Sequence, residues 1–413
     1  MKTRMFFSFL LAASLLLGVC DAQAQIFSGF MKKVNCTNGE TIARALQVLD
    51  IVPITIQVKG TCNENISIVL DDVTLKADPL GGTINGPDPD KPTITLNAAR
   101  TVIDGLTVTG GRGGIKVVGS ATIQNCIVQN TGQSASSSAG ITFYHGGQGT
   151  VDNCTVHNNG NYGIVIEGGS ATVTNSTISS NAAAGILLTL SGSARIGITD
   201  RFEYAGNTVR SNGSAGIRVT GSSSANIGGN TIEGNGTNLS SPDQCGIGVY
   251  NATATLAGNN KITGNTGSGV FASASVVVIG QPGTPLPITG PFANEITGNG
   301  ATAPTKGGVF GFLGSSLDIR SATINGNFGN GVTLSLRSTA RMFDDIVNNN
   351  TGNGISLALG GGLFLPFGVP TVTVTGNTSF GLQCSGTESS YDGNTSGILG
   401  NAVGNVSPSC TGF

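Results

Sequence analysis

Charged and aromatic side chains are scarce in this sequence: 10% of its 413 residues are charged, 5% are aromatic, and tryptophan is absent. The formal net charge is −2 and no basic run occurs, which excludes a nucleic-acid partner, because phosphate contacts need a Lys/Arg surplus on one face. Two histidines cannot supply a multi-histidine metal site. No cofactor is evident, although calcium held by carboxylate and carbonyl oxygens stays open.

Glycine is abundant, with 65 residues, and 38% of the chain is hydrophobic. That hydrophobic share argues against disorder, because it offers enough apolar surface to bury. Glycine does not recur at every third position, which excludes collagen. The composition therefore indicates a repetitive chain.

The N-terminus has the three parts of a signal peptide: Lys2 and Arg4, an apolar run over 5–19, and Ala22-Gln23-Ala24. We predict cleavage after Ala24 and a secreted location, extracellular or periplasmic. A membrane anchor is the alternative, but the run is shorter than the roughly 20 residues that span a bilayer. A lipoprotein site at Cys20 ranks second, since the preceding valine fits such sites poorly.

A glycine followed by an aliphatic residue recurs down the chain, at shortest spacings of 22 or 23 residues. Each pair opens an alternating run, and two further short alternating runs follow, so each repeat predicts three strands and leaves no room for a helix. Such a repeat fits one triangular coil that pairs in parallel with the next. The pairs begin at Gly114, Gly140, Gly163, Gly185, Gly216, Gly246, Gly269, Gly308, Gly331, Gly354 and Gly381.

An asparagine follows the third run of most repeats at a fixed offset. We predict that these amides stack from coil to coil and satisfy turn amides that lack a strand partner. Asn-Gly turns are common in any protein, which is the alternative explanation. The column comprises Asn159, Asn181, Asn212, Asn235, Asn265, Asn299, Asn327 and Asn350.

The Gly-Ile openings, the asparagine turns and the stretch Ile-Gly-Gly-Asn-Thr-Ile-Glu-Gly-Asn at 227–235 resemble repeats of the pectin-lyase-like superfamily. The resemblance covers roughly residues 60–400 and implies an all-β fold, a right-handed parallel β-helix. Relatives include polysaccharide lyases, polygalacturonases, pectin esterases and uronate epimerases, whose sites usually lie in a groove across the first parallel sheet. The galacturonase and epimerase motifs and the acidic cluster of the lyases are absent here.

The mature chain is predicted to be one domain. Residues 25–60 form an N-terminal cap with a helix over 41–49, started by a capping box of Thr37 and Glu40. Coils occupy 61–383, and 384–413 cover the C-terminal end, since an open solenoid end would recruit other chains.

Stacked coils lie about 4.8 Å apart, within reach of a disulfide in an oxidising compartment. We predict disulfides within the pairs Cys36 and Cys62, Cys126 and Cys154, and Cys384 and Cys410. Cys245 is left over and is expected to be buried rather than reactive.

Outward side chains of the Gly-Ile strands offer the candidate site residues. The catalytic candidates are Tyr144, His145, Glu167 and Arg218, which suit acid–base work on a sugar. The binding candidates are Lys116, Tyr250 and Phe271, together with Tyr204 in the loop 198–206, which either walls a groove or folds over the coil. A lightly decorated solvent face is the alternative.

Two functions follow from these patterns. The first is an exported β-helix that binds extracellular or cell-surface polysaccharide without a catalytic set. The second is a lyase-like enzyme with its site on the Gly-Ile strands. The paired carboxylates Asp71-Asp72 and Asp344-Asp345 are predicted to be turn or surface residues, because adjacent strand residues face opposite ways. The oligomeric state stays open.

Overall fold

The fold is a stack of three-stranded coils. The computed structural model describes residues 29–47, 53–132, 138–280, 293–301, 307–367, 372–386 and 388–412. The predicted signal peptide and Cys20 lie outside these residues.

Within the described residues, one parallel sheet, called the Gly-Ile sheet below, contains 14 strands that follow the Gly-aliphatic pairs or their equivalents. Each strand hydrogen-bonds to the strands of the neighbouring coils. In chain order they are Ile66–Ile68, Ile94–Leu96, Ile115–Val117, Ala139–Tyr144, Tyr162–Glu167, Ile186–Thr189, Ile217–Thr220, Ile247–Tyr250, Val270–Ser273, Val309–Phe312, Val332–Ser335, Ile355–Ala358, Phe380–Ser385 and Gly404–Val406.

The other 27 strands of the described part of the chain form the second and third strands of the coils. Ile54–Asn63 and Val73–Gly86 are long enough to take both positions, and Phe30–Asn35 pairs in parallel with the start of Ile54–Asn63. The second strands are Thr101–Asp104, Ser120–Gln124, Gln148–Asp152, Ser170–Thr174, Ser193–Ile196, Ser224–Gly228, Thr253–Gly258, Val276–Ile279, Ser316–Arg320, Thr339–Phe343, Gly362–Phe364, Ser390–Asp392 and Thr411–Gly412. The third strands are Thr107–Gly110, Ile127–Gln129, Thr155–His157, Thr177–Ser179, Thr208–Arg210, Thr231–Glu233, Lys261–Thr263, Glu295–Thr297, Thr323–Asn325, Ile346–Asn348 and Thr373–Thr375.

The predicted parallel coil is therefore confirmed. Its strands also extend beyond the predicted limits of 61 and 383, because Phe30–Asn35 and the strands after residue 389 pair in the same parallel manner. Among the described residues, no helix combines the length and the apolar character needed to cross a bilayer.

Alternate strand residues point to the axis of the stack. In one coil, Ile164 and Ile166 of the Gly-Ile strand, Val173 of the second and Ile178 of the third are fully buried. Burial of each such side chain contributes roughly 1.5–3 kcal/mol. The opening glycine keeps this coil tight, because a Cβ at Gly163 would lie 2.6 Å from a carbonyl oxygen of the next coil.

The helix near the N-terminus, α1 (Ile42–Gln47), is shorter than the predicted 41–49, whose last two residues lie outside the described part. Its Ile42 and Ala45 are buried in the common core. The Glu64 carboxylate accepts hydrogen bonds from its first two backbone N–H groups at 2.7 and 3.0 Å. A residue of the following coil thus caps this helix.

The predicted capping box is wrong. The carboxylate of Glu40 accepts a hydrogen bond from the backbone N–H of Asn35 at 2.6 Å, and the side chain of Asn35 accepts one from the N–H of Thr37 at 3.2 Å. Both bonds close the short 3₁₀ turn Cys36–Asn38, which precedes α1. The capping motif was therefore assigned to the wrong turn.

The predicted asparagine ladder is confirmed, and all eight predicted members are buried. The Oδ1 atom of Asn265 accepts from the backbone N–H and from Nδ2 of Asn235, both at 3.0 Å. Its own Nδ2 donates to Oδ1 of Asn299 at 2.9 Å and to the Ile232 carbonyl at 3.1 Å. The ladder continues to Asn377 and Asn401.

A second ladder, which the sequence analysis missed, lies at the residue just before the third strand of many coils. Its amides are Asn207, Asn230, Asn260 and Asn294, bonded from coil to coil at 2.8–3.1 Å. Mixed residue types hide it in the sequence, since other coils place serine, cysteine or aspartate at this position.

The second ladder explains why the predicted disulfide between Cys126 and Cys154 is absent: both are free thiols. The Cys154 sulfur accepts the backbone N–H of Cys126 at 3.4 Å, as an asparagine oxygen does in other coils, and the Cys126 sulfur donates to the Gln124 carbonyl at 3.1 Å. Two predicted disulfides are present, with Cα–Cα distances of 5.1 and 4.9 Å: Cys36–Cys62 and Cys384–Cys410.

The carboxylate of Asp345 also occupies the second ladder. It is fully buried and accepts the N–H groups of Ala322 at 2.8 Å and Phe343 at 2.9 Å, so its predicted surface position is wrong. Burial raises the pKa of this carboxyl well above its ordinary value. Asp71 and Asp72, by contrast, lie at a surface turn and pair with Arg100 as predicted.

The raised pKa of Asp345 predicts a pH effect on stability. Above the ordinary pKa of about 3.9 the unfolded state loses a proton that the native state keeps, so the free energy of unfolding falls as the pH rises through this window. In denaturant titrations between acidic and neutral pH, we expect the free energy of unfolding of Asp345→Asn not to show this fall. The exposed Asp200→Asn serves as control, and equal pH slopes for both variants would contradict the assignment.

Candidate functional site

The outward side chains of the Gly-Ile sheet, called the Gly-Ile face, form two straight columns with steps of about 4.8 Å. They are straight because neighbouring strands pair in register. One column holds Lys116, Thr142, Val165, Leu187, Arg218, Gly248, Phe271 and Phe310. The other includes Tyr144, Glu167 and Thr189, and further along Tyr250, Ser273 and Phe312.

Four predicted residues meet at the N-terminal part of this face, and we call them the Tyr144 cluster: Lys116, Tyr144, His145 and Glu167. The Lys116 ammonium lies 3.8 Å from the centre of the Tyr144 ring. The His145 ring meets the Tyr144 ring edge-on at 4.1 Å, and its Nε2 is 3.8 Å from Oε1 of Glu167. Strand pairing brings Tyr144 beside Glu167, as predicted.

The Tyr144 cluster borders a cavity of about 490 Å³. The charged part of its lining consists of Asp90, Arg112, Lys116 and Glu167, and Tyr144 adds a phenol. The cavity thus presents both signs of charge beside a phenol, and the imidazole of His145 contacts Glu167, one of its lining residues. This combination can hydrogen-bond a sugar and includes groups that transfer protons.

Arg218 does not join this cluster, so the predicted convergence of four catalytic residues is wrong for it. It lies in the other column, two coils beyond Glu167, and Val165 and Leu187 lie between. Those two side chains are 7% and 8% exposed and form an apolar cluster with Ala139. The Nε atom of Arg218 lies instead 3.2 Å from Oδ2 of the buried Asp243.

Asp243 is the centre of a second group, the Asp243 cluster, with Arg218, Cys245 and Tyr250. The Tyr250 hydroxyl and the Cys245 thiol donate to its Oδ1 at 2.6 and 3.0 Å, and the Arg218 guanidinium lies 5.2 Å from the Tyr250 ring centre. Burial raises the pKa of Tyr250 and of Cys245 far above their ordinary values, so both stay protonated. Cys245 is buried, as predicted.

Sequence reasoning missed Asp243. It lies in the insertion 236–245, and it is the one carboxylate of that segment. This single acid beside a strand with an outward arginine was the available signal. Its partners Arg218 and Tyr250 come from two neighbouring coils.

Aromatic rings continue the face beyond the Asp243 cluster, and we call Tyr250, Phe271, Phe310 and Phe312 the aromatic row. Successive ring centres are 5.3, 5.5 and 5.7 Å apart. Tyr250 and Phe271 were predicted and the other two were missed. The signal was present, because Gly308-Val309-Phe310 repeats the pattern of Gly269-Val270-Phe271.

Tyr204 lies away from the Gly-Ile face, on the second-strand side. Its ring would touch a Cβ at Gly228 or Gly229, and its hydroxyl donates to the Ala257 carbonyl at 3.3 Å. These contacts anchor the loop 198–206, which borders a separate cavity of about 630 Å³ through Asp200. The loop therefore folds over the coil at Tyr204 and borders the cavity at Asp200, and a binding role for Tyr204 stays a prediction.

Potential metal ligands cluster in threes once among the described residues, at Cys36, Cys62 and Glu64. Two of them are joined in a disulfide, which leaves one carboxylate. This group does not fit a metal site, and calcium binding stays a prediction.

The fold places this chain in the class of parallel β-helix proteins, and comparison of its sequence with known families agrees. The family described as right handed beta helix region matches residues 90–200 and 162–362, more than half of the chain. The chain therefore belongs to this family, in agreement with its resemblance to the pectin-lyase-like superfamily. No curated protein matches it by sequence.

Several solved structures are similar in fold. The A-module of the mannuronan C-5 epimerase AlgE6 from Azotobacter vinelandii is 15% identical, with a TM-score of 0.49 over 86% of this chain and 99% of the epimerase module. Pectate lyase Pel9A is 15% identical, with a TM-score of 0.40 over 73% and 80% of the two chains. PfbA, a surface adhesin of Streptococcus pneumoniae, is 10% identical, with a TM-score of 0.31 over 87% and 92%. Likenesses at this level assign no residue roles.

Proposed function

We propose that this protein is exported and binds extracellular or cell-surface polysaccharide along the Gly-Ile face without cleaving it. One observation carries the proposal: polar and aromatic groups recur in register on one face. Six strand-to-strand steps separate Tyr144 from Phe310. They span roughly 29 Å at about 4.8 Å a step, close to the length of a hexasaccharide.

The chemistry of the two ends suits a sugar chain. Aromatic rings offer flat apolar surfaces against which the C–H faces of sugars stack. The rings of the aromatic row are partly exposed, so part of each ring is accessible. At the other end, Lys116, Glu167 and His145 offer donors and acceptors for hydroxyl or carboxylate groups.

Mutual contacts of the polar groups favour binding over cleavage. The Lys116 ammonium is held by the Tyr144 ring, the Arg218 guanidinium by Asp243, and the Tyr250 hydroxyl donates to the same carboxylate. A general base must be free to accept a proton from the substrate. The Tyr250 hydroxyl already donates its proton to Asp243, and burial raises its pKa, so it is not free to accept one.

A polysaccharide-active enzyme is the second candidate. The observation that favours it is the contact between His145 and Glu167, since Glu167 lines the cavity beside Tyr144 and an imidazole next to a carboxylate suits proton transfer. In this case Glu167→Ala and His145→Ala abolish product release, whereas a binding protein releases no product before or after the change.

A glycan screen tests the proposal. We expect the protein to be retained by one acidic or neutral polysaccharide, with and without calcium, while neither unsaturated uronate absorbance nor new reducing ends appear. Phe271→Ala should weaken retention at least about tenfold, because it removes the central ring of the aromatic row. Phe343→Ala removes an outward ring from the second strand Thr339–Phe343, which does not belong to the Gly-Ile face, and should leave retention unchanged. Equal effects of the two variants, or product release, would refute the proposal.

Export has its own test. Protein recovered from outside the cytoplasm should begin at Gln25, as N-terminal sequencing would show. An intact N-terminus, or a lipid-modified Cys20, would contradict the predicted cleavage.

A further inference from the structure

Three consecutive coils place a leucine at the same turn, directly after the Gly-Ile strand. Leu313, Leu336 and Leu359 form this leucine ridge, and Leu313 and Leu359 are 52% and 59% exposed. All three have a left-handed backbone, with φ of 49–51°. A left-handed backbone costs about 1 kcal/mol or more for a residue with a Cβ. An exposed leucine does not offset this cost, because its side chain stays in water and gains no hydrophobic stabilisation.

Several other coils place a small or polar residue at this turn position, and the one further leucine there, Leu190, has a glycine at the same position in both neighbouring coils. Gly168, Gly221 and Gly386 follow their Gly-Ile strands directly, and Asn251 does the same. Such residues fit the left-handed backbone at little cost. Three adjacent leucines are therefore not required by the turn, and a contiguous exposed apolar surface indicates a binding partner.

Charges of opposite sign flank the ridge. A Cβ at Gly360 would lie 3.3 Å from Cγ of Arg337 and 3.5 Å from Oε2 of Glu388, so these two side chains border Gly360. Ion pairs formed within the described residues include neither of them. A cavity of about 570 Å³ is lined by the ridge, both charged residues, Gly360 and Gly386.

We propose that a second copy of this chain covers the leucine ridge in antiparallel orientation, about a two-fold axis at Gly360. Arg337 lies one coil before this glycine and Glu388 one coil after it, so the axis brings each Arg337 opposite the other copy's Glu388. The same axis places Leu336 of each copy opposite Gly386 of the other copy. The leucine side chain then fills the space beside the glycine, which has no side chain. Leu359 meets its own counterpart.

The charges favour a second copy over other occupants. Arg337 and Glu388 lie on opposite sides of Gly360. A second copy rotated by 180° about an axis at Gly360 therefore places its anion against the cation of the first copy, and its cation against the anion. An anionic glycan would meet the Glu388 carboxylate, and a lipid surface would desolvate both charges without pairing them. The contact extends over about four coils, roughly 20 Å, which makes it a small and weak interface.

Charge reversal tests this dimer. Sedimentation velocity of the mature chain should show concentration-dependent dimers, and Arg337→Glu and Glu388→Arg should each weaken dimerisation at least about tenfold. The double variant Arg337→Glu/Glu388→Arg should restore most of the affinity, which a folding defect would not do. A monomer at concentrations on the order of 100 µM, or single variants that dimerise as the parent does, would overturn the proposal.

A matched leucine separates the ridge from general surface effects. Leu359→Asp should abolish the dimer. Leu190→Asp should leave it intact, because Leu190 is 54% exposed, lies at the same turn position with φ of 51°, and belongs to a distant coil. Loss of the dimer in both variants would place the contact elsewhere.

Discussion

Replacement of Asn265 by alanine should lower the free energy of unfolding by about 3–5 kcal/mol. The side chain is fully buried and takes part in four hydrogen bonds with two neighbouring coils. Its removal leaves the backbone N–H and the Nδ2 group of Asn235, the Ile232 carbonyl and the Asn299 oxygen without this partner. Each unsatisfied buried group costs about 1–3 kcal/mol, and water has no access to replace the amide.

Asn238→Ala is the control for this change. Asn238 is exposed in a turn, where its Oδ1 accepts the N–H of Ser240 at 3.1 Å. Loss of one exposed bond should cost less than about 1 kcal/mol. Denaturant titrations of both variants compare the two positions, and similar losses would show that the ladder does not hold adjacent coils together.

Asp243→Ala should lower the free energy of unfolding by about 2–4 kcal/mol and weaken glycan retention as well. Removal of the carboxylate leaves the guanidinium of Arg218 without its ion-pair partner and the Tyr250 hydroxyl without its acceptor. The cost is moderated because Arg218 is one-third exposed, so water replaces part of the pairing. Tyr250 is then no longer fixed beside Phe271, which disrupts the aromatic row.

Asp200→Ala is the matched control, since Asp200 pairs with Arg195 at 2.5 Å in an exposed position. An exposed pair contributes at most about 1 kcal/mol. Thermal or chemical denaturation with the glycan-retention assay separates the two acids. A stable Asp243→Ala variant with full retention would show that the Asp243 cluster contributes neither to stability nor to glycan binding.

The coil could be predicted from sequence because every coil has the same structural requirements. Each coil needs inward aliphatic residues at fixed positions, and the tight approach of Gly163 to Asn181 requires a glycine at each opening. Identical requirements at intervals of 22 or 23 residues produce visible columns. The second ladder escaped notice because Cys154, Ser176 and Asp345 meet the same requirement for an acceptor with different side chains.

The candidate site was predicted less completely, because its contacts join residues that no local pattern connects. Pairing of Tyr144 with Glu167 follows from coil register and was predicted. The position of Arg218 depends on which of the two outward columns it occupies and on Asp243, a residue of an insertion. Glu64 shows the same limit, since a helix cap from the next coil leaves no local motif.

The dependence of affinity on oligosaccharide length tests the central claim most directly. If a sugar chain lies along the Gly-Ile face from Tyr144 to Phe310, the affinity for the retained glycan should rise with each added sugar. It should level off near the hexasaccharide, since the six steps span roughly 29 Å. Calorimetric titration of a length series would measure this. A trisaccharide that binds as tightly as the hexasaccharide would contradict the claim and place recognition in a single pocket.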